Sequence, residues 1–242
     1  MWGDMCWSPT ADAVAGGVIA SIGVVTLVGA RRGRDRVLGA LPLVLGAHQL
    51  VESVVWLETQ GRVSAGLGRA AVTTWAVIAF VVLPALVPLG VLVSAWPRGV
   101  GRWRVTGCLA VGLVVSALFG ADVAGHQVTA RADGHVLDYG LGEGVGLLLI
   151  GGYLLATLGA PLLSPDRFVR WFGIAALVGA AGCAAAWRLE FASTWCAYAA
   201  VLSVMLLVWV RRPEPGGSGS GGPGGSGGSV QPSRPAADAH AV

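Results

Sequence analysis

Four polar and aromatic residues lie close together in the second apolar segment of the chain, which reads LVLGAHQLVESVVWLE. His48, Glu52 and Trp56 are four residues apart, so they share one face of a helix, and Gln49 lies beside them. A carboxylate inside a membrane span is costly, and it faces either the protein interior or a water-filled cavity. Glu52 is therefore either a structural hydrogen-bonding group between helices or a carboxylate that binds a proton, a cation or a metal. For His48 we favour a packing role.

A second group of polar residues follows the fourth apolar segment, in the stretch ADVAGHQVTARADGHVLDYGLGEG. Asp122, His126, His135, Asp138 and Tyr139 all occur there, and these residue types include zinc ligands and acid–base groups. No HxxxH, HExxH or CxxC spacing accompanies them, so the stretch also fits a solvated loop. Glu52 and His135 remain candidate metal ligands, and the sequence identifies no cofactor.

The cysteines suggest a further pairing. Cys6 precedes the first apolar segment and Cys196 opens the last one. Both are expected at the outer surface of the membrane, where disulfides are permitted, so Cys6 and Cys196 are a candidate disulfide. Trp195, beside Cys196, is of a type that prefers the headgroup level of a bilayer, and we expect most of the ten tryptophans to be interfacial.

The elements that position these residues are membrane-spanning helices. Hydrophobic residues make up 55% of the chain and charged residues 12%, and the mean hydropathy is +0.71. A spanning helix needs about 20 mostly apolar residues. Seven segments meet this requirement, so the sequence predicts an all-α, polytopic bundle of seven transmembrane helices. The predicted spans are Ala13–Ala30, Val37–Leu57, Ala70–Trp96, Val105–Ala124, Gly144–Leu163, Phe168–Trp187 and Thr194–Val210. The fourth and sixth are rich in small residues and insert least strongly.

The direction of the bundle follows from the arginines in its short loops, because basic residues accumulate on the cytoplasmic side. With the N-terminus outside and the C-terminus cytoplasmic, eleven arginines fall in inner loops and four in outer loops. The inner ones are Arg31, Arg32, Arg34, Arg36, Arg98, Arg102, Arg104, Arg167, Arg170, Arg211 and Arg212; the outer ones are Arg62, Arg69, Arg131 and Arg188. Acidic residues agree by falling outside, namely Asp4, Asp12, Glu58, Asp133, Asp138, Glu143 and Glu190.

The composition changes abruptly after Arg212. Residues 1–212 form the predicted transmembrane domain, whereas residues 213–242 are rich in Gly, Ser and Pro and predict a disordered cytoplasmic tail. The net charge is only +3 and no basic stripe is present, which argues against nucleic acid as a partner. The predicted partners are the lipid bilayer and a small ligand or ion, and the oligomeric state stays open.

Three sequence stretches resemble one family. MCWSPTADAVAGGVIASIGVVTL, QLVESVVWL and FASTWCAYAAVLSV are similar to an uncharacterised bacterial family, common in actinobacteria, whose chains open Met-Cys-Phe-Ser-Ala-Thr-Ala-Ser. The resemblance runs from about Met5 to Arg211 and implies residence in the bacterial cytoplasmic (plasma) membrane, but no activity. The matched positions are Cys6, Ser8, Gln49, Glu52, Trp56, His135, Tyr139, Tyr153, Trp195, Cys196 and Ser203. If translation starts at Met5 instead of Met1, Cys6 becomes an N-terminal nucleophile or metal ligand, which is an alternative to the disulfide.

These positions converge at the outer end of the bundle, so we expect an outward-facing polar pocket there. The ends of the first, second and seventh helices would form it, and the loop between the fourth and fifth would cover it. The expected function is binding of a small molecule or ion, as in a sensor or transporter. A membrane-embedded hydrolase, possibly metal-dependent and using Glu52, His135 and Cys6, is the alternative, and a structural membrane scaffold is the second. Whether the protein is an enzyme stays open. The candidate pocket residues are Cys6, Gln49, Glu52, Trp56, His135, Tyr139, Trp195 and Cys196.

Overall fold

The computed structural model describes residues 9–95, 100–126, 128–133, 136–140, 146–186 and 191–213. Side chains are described in these ranges except at 95, 100, 130–133, 136–140, 184–186 and 191–197. Seven helices account for most of the described residues, and each contains or overlaps one of the seven predicted spans. They are α1 (Pro9–Val28), α2 (Gly33–Thr59), α3 (Ala65–Ser94), α4 (Val100–Gly125), α5 (Leu147–Leu162), α6 (Arg167–Ala186) and α7 (Phe191–Val210).

A short hairpin lies between α4 and α5 in the chain. Strand β1 (Thr129–Asp133) pairs antiparallel with β2 (Val136–Gly140), so that Thr129 lies opposite Gly140. The sequence analysis expected this stretch to be a loop, and the hairpin is the one departure from helix among the described elements. β1 contacts both α2 and α3, and Val128 packs against Val55 and Trp56. The hairpin therefore lies at the end of the bundle where α2 ends and α3 begins, which we call the hairpin end.

Apolar side chains cover the outside of the bundle, which is the arrangement expected in hydrocarbon. Val14, Val18, Leu118, Val178 and Val204 are all about half exposed or more. Four helices are long and apolar enough to cross a membrane, namely α1, α2, α3 and residues Gly101–Gly125 of α4. Leu147–Leu162 and Tyr198–Val210 are apolar but shorter, and α6 is rich in Gly and Ala. The fold is thus an α-helical membrane bundle.

Small residues hold α1 against α2. Gly16, Gly23 and Gly46 lie where the two antiparallel backbones touch, and a Cβ atom at Gly16 would lie 2.9 Å from both the Cγ and the backbone nitrogen of Leu50. A Cβ atom at Gly46 would overlap the backbone of Ala20. Such contacts between small residues are typical of helix pairs in membranes. This packing sets the position of every side chain between α1 and α2.

Two helices contain a π-helical segment. In α3, Val77–Val82 is π-helical, and the N–H of Leu83 donates to the carbonyl oxygen of Ile78, five residues back. Pro84 follows at once, and because proline has no N–H it cannot continue the α-helical hydrogen bonds. In α5, Leu155–Gly159 is π-helical and precedes Pro161. Each π segment thus lies just before a proline, and π segments often mark functional sites.

At the opposite end of the bundle, which we call the arginine end, α1, α3, α5 and α7 finish and α2, α4 and α6 begin. The backbone N–H of Arg31 donates to the carbonyl oxygen of Val210 there, at 3.5 Å. Apolar side chains from five helices pack closely beneath it. They include Leu38, Val91, Val105, Val169 and Leu206, which are at most 1% exposed.

Candidate functional site

The polar face of α2 points into the bundle. Gln49 and Glu52 are almost completely buried, and Trp56 is 5% exposed. Because α2 rises about 1.5 Å per residue, Glu52 lies about 10 Å below the end of the helix at Thr59. The carboxyl group is thus buried inside the span, about two helical turns from the end of the helix.

Gln49 connects α2 to a carboxyl group on α1. Its Nε2 donates a hydrogen bond of 2.6 Å to Oδ1 of Asp12, which is 1% exposed. The indole of Trp56 faces the same carboxyl group. Neither the Trp56 N–H nor Oδ2 of Asp12 makes a hydrogen bond among the described residues, however. In the described part of the chain, a buried donor and a buried acceptor thus lie near each other without a hydrogen bond.

Glu52 faces the other way, towards α3. The indole Nε1 of Trp75 donates to its Oε2 at 3.5 Å. The Trp75 ring stacks at a tilt on His48, with centroids 4.9 Å apart, and meets the edge of Phe80 at 5.8 Å. His48 takes the packing role expected for it, but its Nε2 is buried and has no hydrogen-bond partner among the described residues. Carboxylate, imidazole and indole thus form one compact group.

This group opens onto a cavity of about 380 Å³ inside the bundle. Its polar lining in the described part of the chain comes from His48, Gln49, Glu52, Tyr153 and Thr157. The rest is apolar or aromatic and comes from α2, α3, α5, α6 and α7. Both π segments contribute to the wall, Ala79 and Phe80 from α3 and Thr157 and Leu158 from α5.

An aromatic contact joins the π segment of α3 to the turn of α5 that precedes its π segment. The Phe80 ring lies 6.1 Å from that of Tyr153, centroid to centroid, and stacks on Phe119 at 4.9 Å. Ser116 of α4 donates a 2.7 Å hydrogen bond to the carbonyl oxygen of Val81, within the π segment of α3. A backbone group that the irregular turn leaves available is thereby satisfied across the helix interface.

The remaining predicted pocket residues are placed as follows. Cys6 and His135 lie outside the described residues, so the Cys6–Cys196 disulfide and the His135 metal ligand stay predictions. Tyr139 lies in β2 opposite Ala130, and Trp195 and Cys196 lie in the first turns of α7, all three without a described side chain. The expected pocket between α1, α2 and α7 differs from the cavity, to whose lining α1 contributes no residue. Trp56 also lies outside the lining, on the side of α2 that carries Val55 and faces Ala71 and Val72.

The sequence analysis missed two residues of the site. Asp12 was expected outside the span, which was wrong, because it belongs to α1 and is buried. A signal existed: the buried positions of α1 are spaced four and three apart, at Asp12, Gly16, Ile19, Gly23 and Thr26. Asp12 is thus in phase with the glycines that pack on α2. Trp75 was not singled out among the ten tryptophans, although it is 8% exposed and donates to Glu52.

The chemistry available in the described residues is that of neutral donors around two buried carboxyl groups. No group of three or more His, Cys, Asp and Glu side chains in the described part of the chain could hold a metal ion. The hydrolase hypothesis rests on Cys6 and His135, which lie outside that part, and remains untested.

Comparison with known proteins adds the family. A family model matches residues 5–219, which covers all seven helices. The chain belongs to a family of unknown function, DUF6629. This agrees with the resemblance found in the sequence, both in extent and in the absence of an assigned activity. Neither curated proteins nor solved structures give a match to the DUF6629 chain. Its function must therefore be inferred from the site itself.

Proposed function

We propose that the protein binds a small, largely apolar molecule carrying a cationic amine, and that it does so in the cavity beside Glu52. The observation that supports this most is the composition of the cavity wall: among the described lining residues, Glu52 alone has an acidic side chain, and the others are aromatic, aliphatic or neutral. A buried carboxyl group of this kind in a membrane protein commonly marks a substrate or ion pathway.

The electrostatics of the cavity favour a positive charge. The described lining contains Glu52 and no arginine, and its one histidine, His48, is stacked on Trp75, so an entering cation would meet a carboxylate and no fixed positive charge. The faces of aromatic rings attract cations as well, and Trp75, Phe80 and Tyr153 all border the cavity. An amine could donate to Glu52 while its apolar part contacts these rings.

The size of the cavity fits a small molecule better than a bare ion. Its volume of about 380 Å³ lies near the lower end of the range for small-molecule sites, roughly 300–1,000 Å³. The wall is mostly hydrophobic with few polar groups, which is the usual composition of such sites. These features support the sensor or transporter class expected from the sequence and specify the chemistry of its ligand.

The two π segments are the natural moving parts of such a protein. Each lies in the cavity wall, at Val77–Val82 and Leu155–Gly159, and each is followed by a proline. A π turn can pass along a helix or revert to α-helical geometry, and this rotates the residues on one side of it. Such a rotation of Phe80 or Thr157 would change the shape of the cavity.

We further propose that the protein resides in a bacterial plasma membrane, with the hairpin end outside and the arginine end in the cytoplasm. The support is the arginine distribution, eleven against four, because basic residues accumulate on the cytoplasmic side. Cysteine-accessibility labelling at Ser64, in the turn before α3, and at Arg34, at the start of α2, tests this orientation in intact cells. Labelling of R34C but not S64C by a membrane-impermeant reagent would reverse it.

Binding of phenethylamine to purified protein in lipid nanodiscs tests the proposed function. Phenethyl alcohol serves as the matched neutral probe, and isothermal titration gives both affinities. We expect Glu52→Gln to weaken amine binding by about ten- to a hundredfold, because hydrogen bonds to charged groups contribute about 1.5–3 kcal/mol. Glu58→Gln, the same change near the end of α2, is the control and should leave binding unchanged. Equal amine affinity in wild type and Glu52→Gln would refute the proposal.

A further inference from the structure

We propose that Asp12 is a proton-binding site separate from the cavity, and that a cation binding at Glu52 releases its proton. The coupling part of this inference rests on the proposed function, whereas the proton site does not. The juxtaposition that carries it is the contact of Asp12 with Gln49, which belongs to the cavity wall.

The surroundings of Asp12 favour the neutral acid in the empty protein. The carboxyl group is 1% exposed and lies in a helix whose outer face is apolar. Among the described residues, the polar groups that face it are neutral, namely the amide of Gln49 and the indole of Trp56. An ionised carboxylate buried without a cation is costly, so it takes up a proton. The unpaired Oδ2 and Trp56 N–H agree with a neutral acid, which is a weak acceptor.

The same surroundings can also hold the ionised form. Gln49 already donates to Oδ1. The Trp56 N–H faces the carboxyl group, so a movement of the indole towards Oδ2 would let it donate as well. Asp12 lies within the first turn of the described α1, where the helix dipole favours a negative charge. Two donors and a helix start thus stabilise the anion once the proton leaves. The position, about 5 Å from the start of α1 at Pro9, allows exchange with water at the hairpin end.

The charged and titratable groups near this site are few. From α2, His48 and Glu52 lie within one helical turn of Gln49. From the described part of α7, Tyr198–Val210, no charged side chain contributes, and α1 itself carries no other one. In the proposed mechanism, the positive charge nearest to Asp12 is therefore the cation bound at Glu52. In the empty protein Glu52, which lines the cavity, is the ionised group of the two, and its negative charge disfavours a second anion at Asp12. A cation bound at Glu52 cancels that charge, so Asp12 becomes a carboxylate and its proton enters the aqueous phase. The bound cation thus takes the place of the released proton, and the net charge inside the bundle stays the same.

Infrared spectroscopy of the full chain in nanodiscs tests the proton site without any ligand. At pH 5 we expect a carbonyl-stretch band of a protonated carboxyl group that shifts when aspartate is labelled with ¹³C. The band should be lost in Asp12→Asn and kept in Asp122→Asn, a control carboxylate on α4. If the Asp12→Asn variant does not fold, Asp12→Glu is the second test. Its protonated-carboxyl band should no longer shift when aspartate is labelled with ¹³C. Absence of a protonated aspartate band, or its persistence in Asp12→Asn, overturns the proposal.

Proton release on addition of phenethylamine tests the coupling. In weakly buffered solution the wild type should release protons as the amine binds, and Asp12→Asn should bind amine with loss of that release. Release of the same size in Asp12→Asn would assign the proton to another group and overturn the coupling. If the wild type binds no amine, the proposed function fails, while the infrared result still decides whether Asp12 holds a proton.

Discussion

Buried or partly buried carboxyl groups occur in both halves of the bundle, but their partners differ. At the arginine end, Asp35 forms an ion pair with Arg32, at 3.2 Å. Asp166 accepts hydrogen bonds from the backbone N–H groups of Phe168 and Val169 and from the indole of Trp209. These partners are a cation, a helix N-terminus and a fixed donor, which all favour the ionised form.

In the hairpin half, the hydrogen bonds described for the two buried carboxyl groups come from neutral side chains. Asp12 contacts Gln49, and Glu52 contacts Trp75, at a cavity instead of a packed core. The comparison teaches how to separate two roles that look alike in a sequence. A carboxylate with charged or backbone partners stabilises the fold, whereas one with neutral partners beside a cavity is available to bind a proton or cation.

The largest expected effect comes from disrupting the packing that brings the hairpin-half groups together. Gly46→Val places side-chain atoms in the backbone of Ala20, and we expect a loss of about 3 kcal/mol or more in the free energy of unfolding, because α1 must move away from α2. Unfolding in mixed detergent micelles measures it. Gly17→Val is the matched control: a Cβ atom there meets nothing within 4 Å, and stability should hardly change. Equal stability of the two variants would contradict the packing.

At the arginine end, Arg32→Ala should cost about 2–3 kcal/mol of unfolding free energy. The substitution removes the ion pair of Asp35, which is 1% exposed, and a buried carboxylate that loses its cation is strongly destabilising. The Arg32 side chain is 20% exposed, which places the expected loss of unfolding free energy at the lower end of the range for broken buried ion pairs. Arg34→Ala, in the same turn, is the control. If Arg32→Ala lowers the unfolding free energy less than Arg34→Ala does, the Arg32–Asp35 ion pair does not stabilise the arginine end.

The sequence predicted the helices better than the site. Long apolar runs identify spans because hydrocarbon excludes polar backbone and charge, so each of the seven segments could be found from the sequence alone. The hairpin at Thr129–Gly140 and the π segments depend on tertiary contacts and local backbone geometry that composition does not show. Asp12 and Trp75 were missed because their roles come from α1–α2 and α2–α3 packing. Gln49 and Glu52 were found because their spacing on one helix is visible in the sequence.

A smaller loss is expected where a single hydrogen bond is removed. Trp209→Phe deletes the indole donor to Asp166 but keeps most of the apolar volume. We expect a loss of about 1 kcal/mol in unfolding free energy, the usual net value of one hydrogen bond, since the backbone N–H groups still satisfy the carboxylate. Trp171→Phe, at a position 59% exposed, is the control for removing an indole. If the two variants have the same unfolding free energy, the hydrogen bond from Trp209 to Asp166 does not stabilise the fold.

The smallest effect on stability should come from Glu52→Gln. A neutral amide of the same size costs less to bury than a carboxyl group, so the thermal midpoint should stay the same or rise slightly. Asp166→Asn, the same chemical change at the arginine end, should lower the midpoint because the helix cap becomes weaker. Opposite behaviour of the two variants would remove the distinction between structural and binding carboxylates.

A structure of the protein with para-bromophenethylamine tests the central claim most directly, because bromine marks the ligand. We expect bromine density in the cavity among Trp75, Phe80 and Tyr153, with the amine within hydrogen-bond distance of Glu52. Density elsewhere on the bundle, or a cavity that stays empty at saturating amine, would contradict the assignment of Glu52 as the cation-binding carboxylate.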